Sequence, residues 1–167
     1  MAVIKGIELY WVVCTKDEPR RYEGKGPAKW SVQLRVNTKQ EAKDLGDQYG
    51  FDFKPFEKDD GKLGYKTTIS RFAYRQKEDG SGEDLENFNK PVTVVLGNGE
   101  PVDPSTVGNG SIGNISFTFK KDKSSRTLVG IQLTKHIVFN KEPEFDFTEA
   151  FEVVNPDSGD DKVDDIF

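Results

Sequence analysis

Cysteine, histidine and long apolar runs are nearly missing from this 167-residue chain. Cys14 is the only cysteine, so no disulfide can form within the chain, which suits a reducing compartment. His136 is the only histidine. It falls in an apolar, strand-like stretch with no cysteine beside it, so no zinc site is legible. No nucleophile elbow occurs, and no phosphate loop ending in Gly-Lys-Ser or Gly-Lys-Thr. Carboxylates are plentiful, but most fall in loops and near the C-terminus, where they need no catalytic explanation. A non-enzyme with no cofactor and no metal is the expectation. The N-terminal region has no long apolar signal segment. Its apolar stretch from Ile7 to Val13 is broken by Glu8 and far too short to span a membrane. A cytoplasmic protein without a membrane partner is expected.

Aromatic residues, by contrast, are abundant: twelve Phe, five Tyr and two Trp. Charge is unevenly spread. Between Glu142 and Phe167 ten acids face Lys162 alone, a net of −9, so residues 1–141 carry +4 of a whole-chain total of −5. The sequence thus reads as a mildly basic domain over residues 1–141, followed by an acidic tail at 142–167. The tail opens with apolar residues, among them Phe145, Phe147 and Phe151. From Asn155 its composition is that of a disordered segment. It ends Asp160-Asp161, then Asp164-Asp165-Ile166-Phe167. A tail serving only solubility needs no terminal Phe. Acidic tails of this kind mediate interactions, and they compete with a polyanion for the same lysines and arginines.

Val3 to Thr15 is rich in β-branched and aromatic residues and predicts a strand, with Ile7, Leu9, Trp11 and Val13 on one face. Lys16 to Lys29 predicts a polar loop. It holds Arg20, Arg21, Tyr22, Lys25 and Lys29, a set able to hold phosphates and stack a base; a solvated hairpin loop is the plain alternative. Trp30, Val32, Leu34 and Val36 alternate with Ser31, Gln33, Arg35 and Asn37, which predicts a half-buried strand. Thr38-Lys-Gln-Glu41 is a capping box for a short helix stopped by Gly50. The aromatics around Pro55 (Phe51, Phe53 and Phe56) predict a loop that plugs a barrel end, with stacking on bases as the alternative.

Lys62 to Gln76 predicts the next long strand. One face carries Tyr65, Thr67, Ile69, Arg71 and Ala73, the other Lys66, Thr68, Ser70, Phe72 and Tyr74. Bases and rings interleaved on an extended strand, with Arg71, Arg75 and Lys77 close in sequence, are what a single-strand groove needs. An ordinary sheet with cross-strand aromatic pairs is the alternative. Lys77 to Lys90 is acidic and aperiodic and predicts a mobile loop. Pro91 to Leu96 predicts a short strand. Gly108-Asn-Gly110-Ser-Ile-Gly113 matches a dinucleotide fingerprint by letter. The Ile115, Phe117, Phe119 alternation after it is a strand, not the helix that fingerprint must open. Lys120, Lys121, Lys123 and Arg126 form a basic turn. Thr127 to Asn140 predicts a last strand, with Val129, Ile131, Leu133, Ile137 and Phe139 sharing a face.

Five or six strands, one short helix and long loops fit an all-β protein: a small closed barrel, of which the oligonucleotide-binding (OB) barrel is the natural form. The chain resembles the replication single-stranded DNA-binding proteins of tailed bacteriophages, as in phage T-seven. The resemblance rests on Ile4-Lys-Gly-Ile-Glu-Leu-Tyr-Trp11, Trp30-Ser-Val-Gln-Leu34, the Gly108–Gly113 turn with its strand, and Val129-Gly-Ile-Gln-Leu-Thr134 followed by an acidic tail with a terminal aromatic. It implies an OB fold, single-stranded DNA binding without strong sequence preference, strand annealing in replication and recombination, and a tail that contacts replisome partners such as a polymerase, helicase or primase. The tail also resembles that of bacterial single-stranded DNA-binding proteins, which end Asp-Asp-Ile-Pro-Phe; the Pro is absent here. The tail docks on its own body or on a neighbour's in a homodimer, and the sequence leaves both open. On the strand-face reading, the residues expected to bind DNA are Arg20, Arg21, Tyr22, Lys66, Arg71, Phe72, Tyr74, Arg75, Lys77, Lys120 and Lys121. The tail residues expected to meet partners are Asp160, Asp161, Asp164, Asp165, Ile166 and Phe167. A non-catalytic structural or virion barrel, a carboxylate-dependent nuclease and an acidic DNA mimic are the rival classes; the +4 body argues against the last.

Overall fold

The computed structural model describes residues 1–139. The acidic segment 142–167, with the six tail residues named above, lies outside the described residues. Ten strands and one α-helix follow in order: β1 (Ala2–Val13), β2 (Arg20–Tyr22), β3 (Lys25–Val36), α1 (Lys39–Tyr49), β4 (Lys54–Glu57), β5 (Leu63–Phe72), β6 (Tyr74–Gln76), β7 (Glu83–Phe88), β8 (Thr93–Leu96), β9 (Ser111–Phe119) and β10 (Arg126–Lys135).

Eight of the strands form one sheet, ordered β4-β5-β3-β1-β9-β10-β8, with β2 paired to β3. β1 is the centre: it runs antiparallel to β3 on one side and β9 on the other. β3 continues to β5, and β9 to β10, so the sheet curls until β5 and β10 lie side by side. This is the Greek-key path of an OB barrel, partly open. The hydrogen-bonded ladder does not close, contrary to the closed barrel expected from strand count. At the seam, Arg71 Nη1 donates to the Leu128 carbonyl at 3.4 Å.

The alternation in β3 does what its pattern dictates. Trp30, Val32, Leu34 and Val36 are buried, and they meet Leu9, Ile69, Ile115, Phe117, Leu128 and Ile131 in one core. Burying side chains of this size stabilises the fold by roughly 1.5–3 kcal/mol each. The Trp30 indole N–H donates to the carbonyls of Thr15 and Lys16, tying the polar loop after β1 to the core. The N-cap half of the capping box forms: Thr38 Oγ1 accepts from the Glu41 N–H at 3.1 Å. Gly50, at φ +86°, closes α1 in the left-handed conformation that glycine adopts without steric cost. Tyr49, the last residue of α1, and Phe51, just after it, pack edge-on against Phe117 with centroids 5.0 and 5.4 Å away, plugging one end of the barrel.

Several expectations need correcting, each for a local reason. Trp11 does not share the buried face with Leu9. The ladder slips between Tyr10 and Val13, Trp11 adopts φ +53°, and its side chain is 58% exposed. A non-glycine residue there is strained, and the Trp11 N–H is held by Asn109 Oδ1 at 2.8 Å. β3 starts at Lys25 rather than Trp30, because β2 folds back on it as a hairpin. Phe56 leaves the plug and sits in β4. Residues 77–90 are not a loop throughout, since β7 pairs with β6 as a separate two-stranded ribbon. β10 ends at Lys135. Register slips beside Gly130 and Leu133 turn Leu128, Ile131 and Leu133 inward in place of Val129, while Ile137 and Phe139 are partly exposed.

Candidate nucleic-acid interface

Because side chains alternate along a strand, the core residues of β3 and β5 fix what stands on their outer face. On β3 these are Lys29, Ser31, Gln33 and Arg35, and on β5 Lys66, Thr68, Ser70 and Phe72. The register sets Lys29 opposite Phe72, Ser31 opposite Ser70, Gln33 opposite Thr68 and Arg35 opposite Lys66. Neither strand contains an acid. Lys29 and Arg35 are six residues apart, so the row is about 20 Å long.

Each end of the row carries rings. At one end Phe72 is 49% exposed, with Lys29 Nζ 5.1 Å from its ring centroid. The β2–β3 hairpin stands beside it. There Arg20, Tyr22, Lys25, Lys29, Ser31, Thr68 and Ser70 help line an open groove of about 700 Å³, and Tyr22 is 81% exposed. At the other end the Arg35 guanidinium lies 3.7 Å from the Tyr10 ring centroid and 4.6 Å from that of Phe56. Arg35 Nε donates to Gln33 Oε1 at 2.8 Å, which fixes the plane of the fork. Lys66 Nζ lies 5.4 Å from the Phe56 centroid. Gly64 is what admits Phe56: a Cβ there would sit 2.8 Å from the ring. Acids stand beside both ends: Glu23 lines the groove at the hairpin, and Glu8, Glu57, Asp59 and Asp60 line the hollow that Tyr10, Arg35 and Phe56 also line.

The residues singled out from the sequence therefore separate into groups. Arg20, Tyr22 and Phe72 stand at one end of the outer face and Lys66 at the other. Arg21 does not stand free: its Nη1 donates to Glu83 Oε1 at 2.6 Å and to the Gly26 carbonyl at 2.7 Å. Burial favours the neutral form of Glu83. The bonds from Arg21 and the Ala28 N–H, with the Arg21 charge, outweigh it and hold the pKa below the usual carboxylate value. Arg71 points to the inner side of the seam, with its Nε buried and unpartnered. Tyr74 stacks on Phe88 at 4.8 Å, and Phe88 on Trp30 at 6.2 Å, so it anchors the β6–β7 ribbon to the core. Arg75 and Lys77 are exposed on that ribbon. Arg75 pairs in register with Asp84, whose pKa is lowered first by bonds from Asn87 and Glu86, then by Lys77 and Arg75.

Lys120 and Lys121 are exposed in the β9–β10 turn. Lys123 and Arg126 of the same turn are used structurally, bonding the carbonyls of Asp47 and Tyr49 at the end of α1. His136 is likewise satisfied locally, its Nε2 3.2 Å from the Thr106 carbonyl. Tyr10 and Arg35 were not among the residues expected from the sequence; Lys29 was named only as part of the polar loop and Phe56 only with the aromatics around Pro55. The signal was present for the β3 pair, because the clean alternation that put Trp30 to Val36 inside also put Lys29 and Arg35 outside.

No protein-family model matches the chain, and no curated protein sequence does. Solved structures are similar, two of them as follows. The single-stranded DNA-binding protein from bacteriophage Enc34 in complex with ssDNA is 12% identical at a TM-score of 0.46, covering 86% of this chain and 88% of that one. A C-terminal truncation of the Enc34 protein is 13% identical at a TM-score of 0.43, covering 84% of this chain and 86% of that one.

Proposed function

We propose that this chain binds single-stranded DNA without strong sequence preference, along the outer face of β3 and β5. The observation that carries the reading is the acid-free row from Lys29 to Arg35 and Lys66, flanked by Phe72 and Tyr22 at one end and by Tyr10 and Phe56 at the other. Its cations neutralise phosphates and release counterions, so affinity falls with salt. Its hydroxyls and Gln33 offer hydrogen bonds to bases or sugars. The exposed rings of Phe72 and Tyr22 stack bases, each contributing about 1–3 kcal/mol. Arg75, Lys77, Lys120 and Lys121 act as outlying cations, and Arg71 and Tyr74 hold the frame. The protein is not an enzyme on this reading. It serves phage DNA replication and recombination in the cytoplasm of an infected bacterial cell.

Residues 1–141 form the binding domain and 142–167 a separate acidic tail. The tail competes with DNA for the cations and offers Ile166 and Phe167 to replisome proteins when displaced, whether from its own body or from a neighbour's in a homodimer. One placement supports this. Phe139, the last residue described, lines a hollow together with Arg20 and Arg21.

A gel-shift comparison of full-length and 142–167-deleted protein on single- and double-stranded DNA tests both parts. The full-length protein should prefer the single strand, and the deletion should tighten binding. Unchanged or weaker binding by the deletion contradicts the competition. No shift at low salt contradicts the function itself and favours a structural barrel; degradation of the strand with magnesium favours a nuclease.

A further inference from the structure

Among the cations named from the sequence, Arg21 is one the structure finds already occupied by an anion. Glu83, at the start of β7, places its two carboxylate oxygens on two donors of the β2–β3 hairpin. Oε1 accepts from Arg21 Nη1 at 2.6 Å, and Oε2 accepts from the Ala28 N–H at 3.0 Å. The Gly26 carbonyl, also bonded to Arg21 Nη1, fixes the guanidinium in place. Gly26 itself lines the groove that holds Tyr22 and Lys29. A guanidinium and a backbone N–H converging on one pair of oxygens are what a phosphodiester group requires, since its two non-bridging oxygens accept in the same way.

The carboxylate comes from an element that is able to leave. The β6–β7 ribbon is joined to the barrel at its base, through the Trp30–Phe88–Tyr74 stack and the bond from the Asn89 N–H to the Ala73 carbonyl. Glu83 pairs with Gln76 at the other end, next to the turn. Two strands alone make a marginal structure in water.

We propose that the Arg21–Ala28 donor pair is a phosphate seat, filled in the free protein by Glu83 and taken over by a backbone phosphate of bound single-stranded DNA. This rests on the reading of the chain as a single-stranded DNA-binding protein. Glu83 is then an internal competitor, and DNA binding releases the tip of the ribbon.

The test is fluorescence anisotropy of labelled oligothymidylate with the full-length chain, over a salt series, for the wild type, Glu83→Gln, Glu83→Ala, Arg21→Ala and the Arg21→Ala/Glu83→Ala double variant. Removing the competing charge should tighten binding about fivefold and steepen the salt slope by about 0.7, one additional phosphate contact. Arg21→Ala should weaken binding, and Glu83→Ala should add nothing in that background. Amide exchange in residues 76–83 of the wild type should accelerate when oligothymidylate saturates it; this readout needs no variant to fold. Glu83→Gln binding at or below wild-type affinity, or exchange that is unchanged or slowed by DNA, overturns the seat while leaving the function intact. A wild type that does not bind oligothymidylate overturns both.

Discussion

The barrel has two outer faces built by the same rules, and they differ in chemistry. One is made by β8, β9 and β10, whose charged residues are only Arg126 and Lys135, both at strand ends. Its outward positions are filled by Thr93, Val95, Ile112, Asn114, Ser116 and Gln132. The other is made by β2, β3 and β5, with Arg20, Lys25, Lys29, Arg35 and Lys66 on the outside. Both halves bury comparable aliphatic and aromatic residues inward. The fold is therefore satisfied by neutral outward residues. The cations on β3 and β5 are not needed to hold the sheet, and side by side they repel one another, as Arg35 and Lys66 do in register. That cost is intelligible if an anion is bound there.

The comparison breaks most visibly if charge is removed from one face and altered on the other. Lys29→Ala, Arg35→Ala and Lys66→Ala together should weaken single-stranded DNA binding by about a hundredfold at low salt and flatten the salt slope by about 2. Thr93→Glu with Thr118→Glu, on the neutral face, should change affinity by less than about threefold. Equal losses from the two sets would mean that overall charge, not the row, governs binding. The next effect in size belongs to the rings. Phe72→Ala and Tyr22→Ala should each lose about 1–3 kcal/mol of binding, whereas Ile112→Ala should lose none. Oligonucleotide titrations, with thermal melts to confirm folding, measure all of these.

How much of this was legible from the sequence depended on whether the period of two survived along a strand. It survives through β3 and most of β5, and there both the core and the proposed binding row follow from alternation. It fails in β1 and β10. The left-handed residue at Trp11 and the slips beside Ile4, Gly130 and Leu133 move side chains to the other face without changing composition. Tyr74 lies away from the row for a related reason, whereas Arg71 keeps the Ile69 side that its alternation gave it. The strand breaks at Ala73, whose N–H bonds Ala28, so Tyr74 turns to Phe88 instead of continuing the Phe72 face. Glu83 and Phe56 act through partners distant in sequence, which no local pattern reports. The capping box and the fall of the glycine cluster before a strand were local, and both were readable.

The smallest effect expected sharpens the inward side of the comparison. Cys14 is buried and its pKa is pushed up to about 12, first by desolvation, against a weaker opposing hydrogen bond with the Ser31 backbone. At pH 8 its thiolate is then scarce, on the order of one part in ten thousand, and a thiolate is what alkylating reagents attack. Iodoacetamide should leave Cys14 unmodified in the folded protein and modify it in denaturant. Ready modification of the native chain would show that this end of β1 opens.

The most direct test of the two-face account is residue-resolved amide chemical-shift mapping of the full-length chain titrated with oligothymidylate. Shifts concentrated in residues 20–35 and 64–72, with residues 112–118 and 129–133 still, are the predicted result. Shifts centred on β9 and β10, or spread evenly over both faces, would contradict it.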